Sequence, residues 1–168
     1  MTERLPSTSA IRHTILWCAG LAYAGFLAFV VFWPSPIDAP IQGLLERAIQ
    51  EMHERGVPAF VDYAFIEFMS NVVLFVPVGI IFGLLLPIRF WAIALMLGPL
   101  LSLGIEMAQK LLLADRYSSI YDIIANSVGA TLGVMLATVL RAAVHARDEK
   151  VILRHEALQR RAAAIGSR

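Results

Sequence analysis

Residues 120–140 read IYDIIANSVGATLGVMLATVL, and this stretch decides the fold. It is just long enough for the ~20 apolar residues that cross about 30 Å of hydrocarbon. Its only charge is Asp122, and Asn126 follows four residues later on the same helix face. Gly129 and Gly133 continue that face as a small-residue stripe, with Ala137 one turn further. Small residues at that spacing let two helices approach closely. The stretch therefore reads as a membrane helix with one polar end and one packed face.

Working outward, residues 14–33, 65–86 and 90–113 are apolar over similar lengths. The 168-residue chain is 58% hydrophobic with a mean hydropathy of +0.70, where soluble domains hold roughly 45–50% apolar residues. A soluble core would leave too little polar surface to cover it. The expected fold is an all-α integral membrane domain over residues 1–140 with four transmembrane helices, followed by a basic tail at residues 141–168, a solvated helix that can extend the fourth span and touch anionic lipid. The single cysteine, Cys18, lies in the first span and forms no intrachain disulfide. Arg4 and Arg12 precede that span as they would in a signal peptide. Its apolar run exceeds the ~7–15 residues of a signal h-region, and no small-x-small pattern precedes the break at Trp33-Pro34-Ser35-Pro36. An uncleaved first helix is expected.

Basic residues set the expected orientation. Arg4, Arg12, Arg89, Arg141, Arg147, Lys150, Arg154, Arg160, Arg161 and Arg168 fall on one side, and Arg47, Arg55, Lys110 and Arg116 on the other. Ten against four predicts both termini in the cytoplasm. The outer side is acidic, through Asp38, Glu46, Glu51, Glu54, Asp62, Glu67, Glu106, Asp115 and Asp122. Between the first two spans, Ile41, Leu44, Leu45, Ala48, Ile49 and Met52 recur at helical spacing among polar residues. Asp38 and Pro40 mark the start of this segment, and Gly56 and Pro58 its end. It predicts a short amphipathic helix in the outer loop, lying in the interface. His53 on it reads as a solvated residue, with no second histidine outside to make a metal site.

Three polar pairs stand out against this background: Glu67 with Asn71, Glu106 with Gln109, and Asp122 with Asn126. Each is spaced three or four residues apart and shares a helix face. In the expected topology all six lie in the outer half of the bilayer, with Lys110 and Arg116 nearby. Independent helices placing polar groups at one depth suggest one shared site. Gly79 and Gly83 on the second span, and Gly98 and Ser102 in a row with Glu106 on the third, join Gly129 and Gly133 as expected packing positions. Pro77 removes one backbone hydrogen bond from the second span. A membrane carboxylate costs about 2.5–3.5 kcal/mol on insertion scales, so it normally has a partner and often a task. The plainer readings are specific too. Ser119 to Asp122 fits a capping box. Glu67 is close enough to the surface to be solvated, Lys110 can neutralise Glu106, and the amides can serve as interhelical glue worth about 0.6–2 kcal/mol each.

Other chemistry is not signalled. The sequence has no P-loop, GxGxxG, HExxH or Cys/His cluster, and no nucleic-acid motif accompanies the basic tail. Amides and bases interleave the carboxylates, which disfavours a metal site, and no cofactor is expected. Neither Glu106 nor Asp122, the two candidate acid/base residues, has a nucleophile and base beside it.

Three stretches resemble the VanZ-like family of membrane proteins. They are Glu67-Phe68-Met69-Ser70-Asn71 running to Val76-Pro77-Val78-Gly79, Ser102-Leu103-Gly104-Ile105-Glu106-Met107-Ala108-Gln109, and Arg116 followed by Asp122-Ile123-Ile124-Ala125-Asn126 through Gly129 to Gly133. They occur in family order, with all three polar pairs in register. The resemblance implies a multi-pass protein of the bacterial cytoplasmic membrane and an association with low-level tolerance of the glycopeptide teicoplanin. It brings no established reaction. Three functions stay open. In the first, an outer-leaflet cavity formed by Glu67, Asn71, Glu106, Gln109, Arg116, Asp122 and Asn126 binds a lipid headgroup, a lipid-linked envelope precursor or the lipidated glycopeptide. The second is a membrane-embedded enzyme using Glu106 or Asp122 as acid/base. The third is a structural partner of envelope-synthesis proteins.

Overall fold

The computed structural model describes residues 10–33, 41–112 and 119–166. Five helices follow one another: α1 (Ala10–Val31), α2 (Gln42–Glu54), α3 (Tyr63–Leu85), α4 (Trp91–Leu112) and α5 (Ile120–Gly166). No strand occurs among the described residues. α1, α3, α4 and α5 are each long and apolar enough to cross a membrane. At 13 residues, α2 falls short of the ~20 needed.

Local chemistry sets the helix ends. Asp62 is extended at the start of α3, and its carboxylate accepts from the Phe65 N–H at 2.9 Å, satisfying one of the donors a helix start leaves open. Ser119 does the same for α5, its hydroxyl accepting from the Tyr121 N–H at 3.1 Å. α2 closes on Gly56 at φ +91, with Gly56 N–H donating to the His53 carbonyl and Val57 N–H to Met52. That pair of bonds is the Schellman arrangement, and its left-handed position favours glycine. His53 is tied down as well, its Nε2 donating to the Val61 carbonyl at 3.0 Å. α3 and α4 each continue through an internal proline, Pro77 and Pro99.

The last helix outruns its apolar stretch, as a tail that extends the fourth span would. The apolar stretch ends near residue 140, but α5 runs on to Gly166. The added residues are rich in Ala, Arg, Leu, Lys and Glu, all good helix formers, and no proline or glycine interrupts them before Gly166. Hydropathy marks the span; backbone hydrogen bonding marks the helix.

α3 and α5 run parallel and form the main seam, with α4 packed between their ends as the return helix. The seam is built on backbone. A Cβ on Gly129 would stand 2.1 Å from the Val72 carbonyl oxygen, one on Gly133 2.1 Å from that of Val76, and one on Gly79 1.9 Å from that of Ala130. Any side chain there forces the helices apart. Gly83 faces a side chain instead, its Cβ falling 2.6 Å from the Ala137 methyl. Gly98 of α4 meets the opposite side of the story, since its Cβ would fall 2.2 Å from the Ala130 methyl. Ala130, 1% exposed, is thus the point where three helices meet.

Phe75, Val78, Ala130, Leu27 and Val31 form the core beside this seam. α1 adds little packing, with Leu27 and Val31 its only buried apolar residues among those described. The Tyr23 hydroxyl donates to the Leu74 carbonyl at 2.6 Å and holds α1 to α3. Large apolar side chains such as Leu21, Phe29, Leu103, Met107 and Met135 are exposed around the bundle. In a bilayer these face lipid tails, which are as apolar as they are.

Candidate functional site

Each membrane-crossing helix contributes to one polar belt near the end of the bundle where α3 and α5 begin. Asn71 of α3 donates its amide to the Asp122 carboxylate at 2.7 Å. Four residues on, Asn126 of α5 donates to the Ser102 hydroxyl of α4 at 2.9 Å. One turn beyond Ser102 stands Glu106, and three residues further Gln109 donates to the Val31 carbonyl at 2.8 Å. The order of linkage is α3 to α5, α5 to α4, and α4 to α1.

The belt is graded in burial. Asn71 and Asp122 are partly exposed, while Ser102 (0%), Glu106 (5%), Asn126 (6%) and Gln109 (7%) are enclosed. The heptad-like row Gly98, Ser102, Glu106 and Gln109 produces this, because it is the α4 face turned to α5 and α1. Asn126 also presents a buried acceptor, its Oδ1, with no hydrogen-bond partner among the described residues. Buried polar atoms are nearly always satisfied, by protein, water or a bound group. A donor is wanted at that point.

The sequence pairs therefore resolve across helices. Asn71, Asp122, Asn126, Glu106 and Gln109 come together in the belt. Glu67 is exposed on α3 and Lys110 on α4. Arg116 lies outside the described residues, as do Asp38, Pro40 and Asp115. Gln109 has a definite structural task, donating to the carbonyl of Val31, the last residue of α1. Gly79, Gly83, Gly129 and Gly133 all lie in the α3–α5 seam beneath the belt.

Three residues make contacts that the sequence did not assign to them. Ser102 is the belt's fully buried hydroxyl, and its position one turn from Glu106 was the available signal. Tyr23 carries the α1–α3 bond. Arg141 reaches from α5 to the carbonyls of Leu84, at 2.7 Å, and Leu86, which α3 leaves open at its end. Among the described residues no three His, Cys, Asp or Glu side chains gather as a metal site. The chemistry on hand is a buried carboxylate, a hydroxyl held by an amide, and a buried amide acceptor on Asn126.

A multi-pass helical membrane protein with a buried polar belt at one end of a glycine-built seam is the class these features define. The family model VanZ/LLP1 matches residues 20–141, from within α1 to the part of α5 that packs on α3. The chain belongs to the VanZ/LLP1 family and is a VanZ-like envelope protein. Neither a curated protein nor a solved structure matches it.

Proposed function

We propose that this protein binds the polar headgroup of an envelope lipid, a lipid-linked precursor or a lipidated glycopeptide at the polar belt, entering from the outer leaflet. The observation that carries the reading is a carboxylate, Glu106, enclosed with Ser102 and Asn126 in an otherwise apolar bundle. Interhelical glue alone is supplied by amides at about 0.6 kcal/mol a bond; a buried carboxylate is a costly way to obtain it. The spare acceptor on Asn126 suits the hydroxyl or amine donors of a headgroup. The partly exposed Asn71–Asp122 pair is the rim a headgroup meets first. In this reading both termini are cytoplasmic, the membrane is the bacterial cytoplasmic membrane, and α2 lies in the outer interface above the rim. Low-level teicoplanin tolerance follows if the bound group is the lipidated glycopeptide.

The direct test is mass spectrometry of lipids that co-purify with the wild-type protein and with Glu106→Gln, which removes the charge but keeps the shape. A lipid class depleted in the variant supports the reading; identical lipid profiles at equal protein abundance sink it. Orientation is tested separately in a Cys18→Ser background. Glu54→Cys should react with an impermeant thiol reagent in intact cells, and Arg89→Cys should not.

A second reading rests on Glu106 standing one turn from the Ser102 hydroxyl that Asn126 holds. That arrangement suits acid/base work on a lipid-linked substrate. Turnover of such a substrate in liposomes, lost in Glu106→Gln, would select it over simple binding. A structural partner of envelope-synthesis machinery would instead keep its phenotype through every belt substitution.

A further inference from the structure

α5 does not end with the bundle. Beyond Arg141, whose guanidinium closes α3, the helix continues to Gly166. This extension is segregated by charge around its axis. Arg147, Lys150 and Arg154 share one face at helical spacing, and Asp148 and Glu149 point elsewhere. Asp148 turns back to the bundle, where Arg12 of α1 grips it in a two-pronged ion pair at 2.8 and 3.2 Å. Beside the bases runs an apolar row: Val144 (44% exposed), Val151 (61%) and Leu158 (56%), each seven residues apart. Ala143, Ala146, Arg147, Lys150, Val151 and Arg154 lie together on this one exposed face of the helix.

From this we infer that the α5 extension is a docking face for an acidic amphipathic helix of a partner protein. The apolar row and the bases recur at the heptad period that helix pairing uses, with Arg147 and Arg154 three residues behind Val144 and Val151. A helix carrying leucines and flanking carboxylates complements both features at once. Two other occupants fit less well. A second copy in the same membrane runs parallel, and pairing through this face sets Arg147 against Arg147 and Arg154 against Arg154. The bilayer surface is out of reach for most of the face. Measured from Arg141, Arg147 lies about 9 Å along the axis, Lys150 about 14 Å and Arg154 about 20 Å, at 1.5 Å per residue. The headgroup layer is only about 5–8 Å thick on each side. The Arg12–Asp148 pair places Asp148 on the α1 side of the extension, away from the bases. The inference is independent of what the polar belt binds.

The test uses the full chain in discs of neutral phosphatidylcholine. The probe is a labelled synthetic helical peptide of about three heptads, with Leu at seven-residue spacing and Glu at the flanks. Fluorescence anisotropy should show binding that weakens as salt rises. The reversal Arg147→Glu/Lys150→Glu/Arg154→Glu should lose binding by about tenfold or more and gain binding to the lysine version of the same peptide. These three side chains are exposed, so the variant should melt like wild type; Arg154→Glu alone, with a smaller loss, serves if it does not. Equal binding of the acidic and basic peptides to wild type overturns the inference, and so does no binding of either. It is also overturned if a spin label at Lys150→Cys becomes buried when phosphatidylglycerol replaces the neutral lipid, or if the face drives self-association in sedimentation.

Discussion

α5 and α1 both lie against α3, but they are held there by different means. α5 meets α3 along a seam of Gly79, Gly129 and Gly133, where backbone touches backbone, continued by Gly83. α1 buries only Leu27 and Val31 among its described apolar residues and relies on discrete polar ties: Tyr23 to Leu74, Gln109 to Val31, and Arg12 to Asp148. In lipid no hydrophobic force drives helices together, so association rests on close packing and hydrogen bonds. The two helices show the two resources used separately. Packing spread over four turns tolerates no insertion of bulk. A polar tie is local and is lost one atom at a time.

The comparison is broken most forcefully at the seam. Gly133→Leu or Gly129→Leu should destabilise the fold by at least about 3 kcal/mol, the upper end for overpacking, because the new side chain meets backbone that cannot yield. Thermal unfolding in detergent measures it. Gly25→Leu and Gly104→Leu, where an added Cβ meets nothing within 4 Å, should melt like wild type. If all four variants melt alike, the seam is not what binds α5.

A smaller effect is expected in the belt. Asn71→Ala and Asp122→Ala should each cost about 0.6–2 kcal/mol. Because the two side chains share one bond, the double variant should cost less than the sum. Strict additivity would mean that the Asn71–Asp122 contact carries no coupling. Smaller again is Tyr23→Phe, which removes one hydroxyl from α1 and should cost about 0.6 kcal/mol. Its clearer readout is local, as faster hydrogen exchange in α1 with α3 and α5 unchanged. Exchange rising equally in all three helices would show that α1 is packed, not tied. Least of all is Arg12→Gln. Both ends of that pair reach solvent, where ion pairs contribute little, so the melting temperature should not move in high salt or low.

Much of the fold was legible because hydropathy is a local signal. All four spans could be found by length and composition, and the small-residue stripe of residues 129–137 could be read from its four-residue period. The polar pairs were legible as residues but not as contacts. Glu67 and Asn71 share a face, yet Asn71 bonds to Asp122, 51 positions away. Asn126 bonds to Ser102 and Gln109 to a backbone carbonyl. Which face of one helix meets which face of another depends on rotation and depth across the whole bundle, and no window of one helix contains that. The tail shows the reverse case. Its charge ends the apolar stretch at residue 140, but helix propensity, also local, carries α5 on to Gly166.

Gln109 and Arg141 make a point about time. A chain made from its N-terminus delivers α1 and α3 before the residues that close them exist. Gln109 meets the Val31 carbonyl from 78 positions later, and Arg141 meets that of Leu84 from 57 positions later. The glycine seam likewise has only one wall until α5 is made. During synthesis the first two-thirds of this protein, through α4, therefore lacks the second wall of its seam. A nascent chain stalled after α4 should crosslink to its insertion machinery and one extended past residue 141 should not; release of both alike would show that α1, α3 and α4 assemble without the last helix.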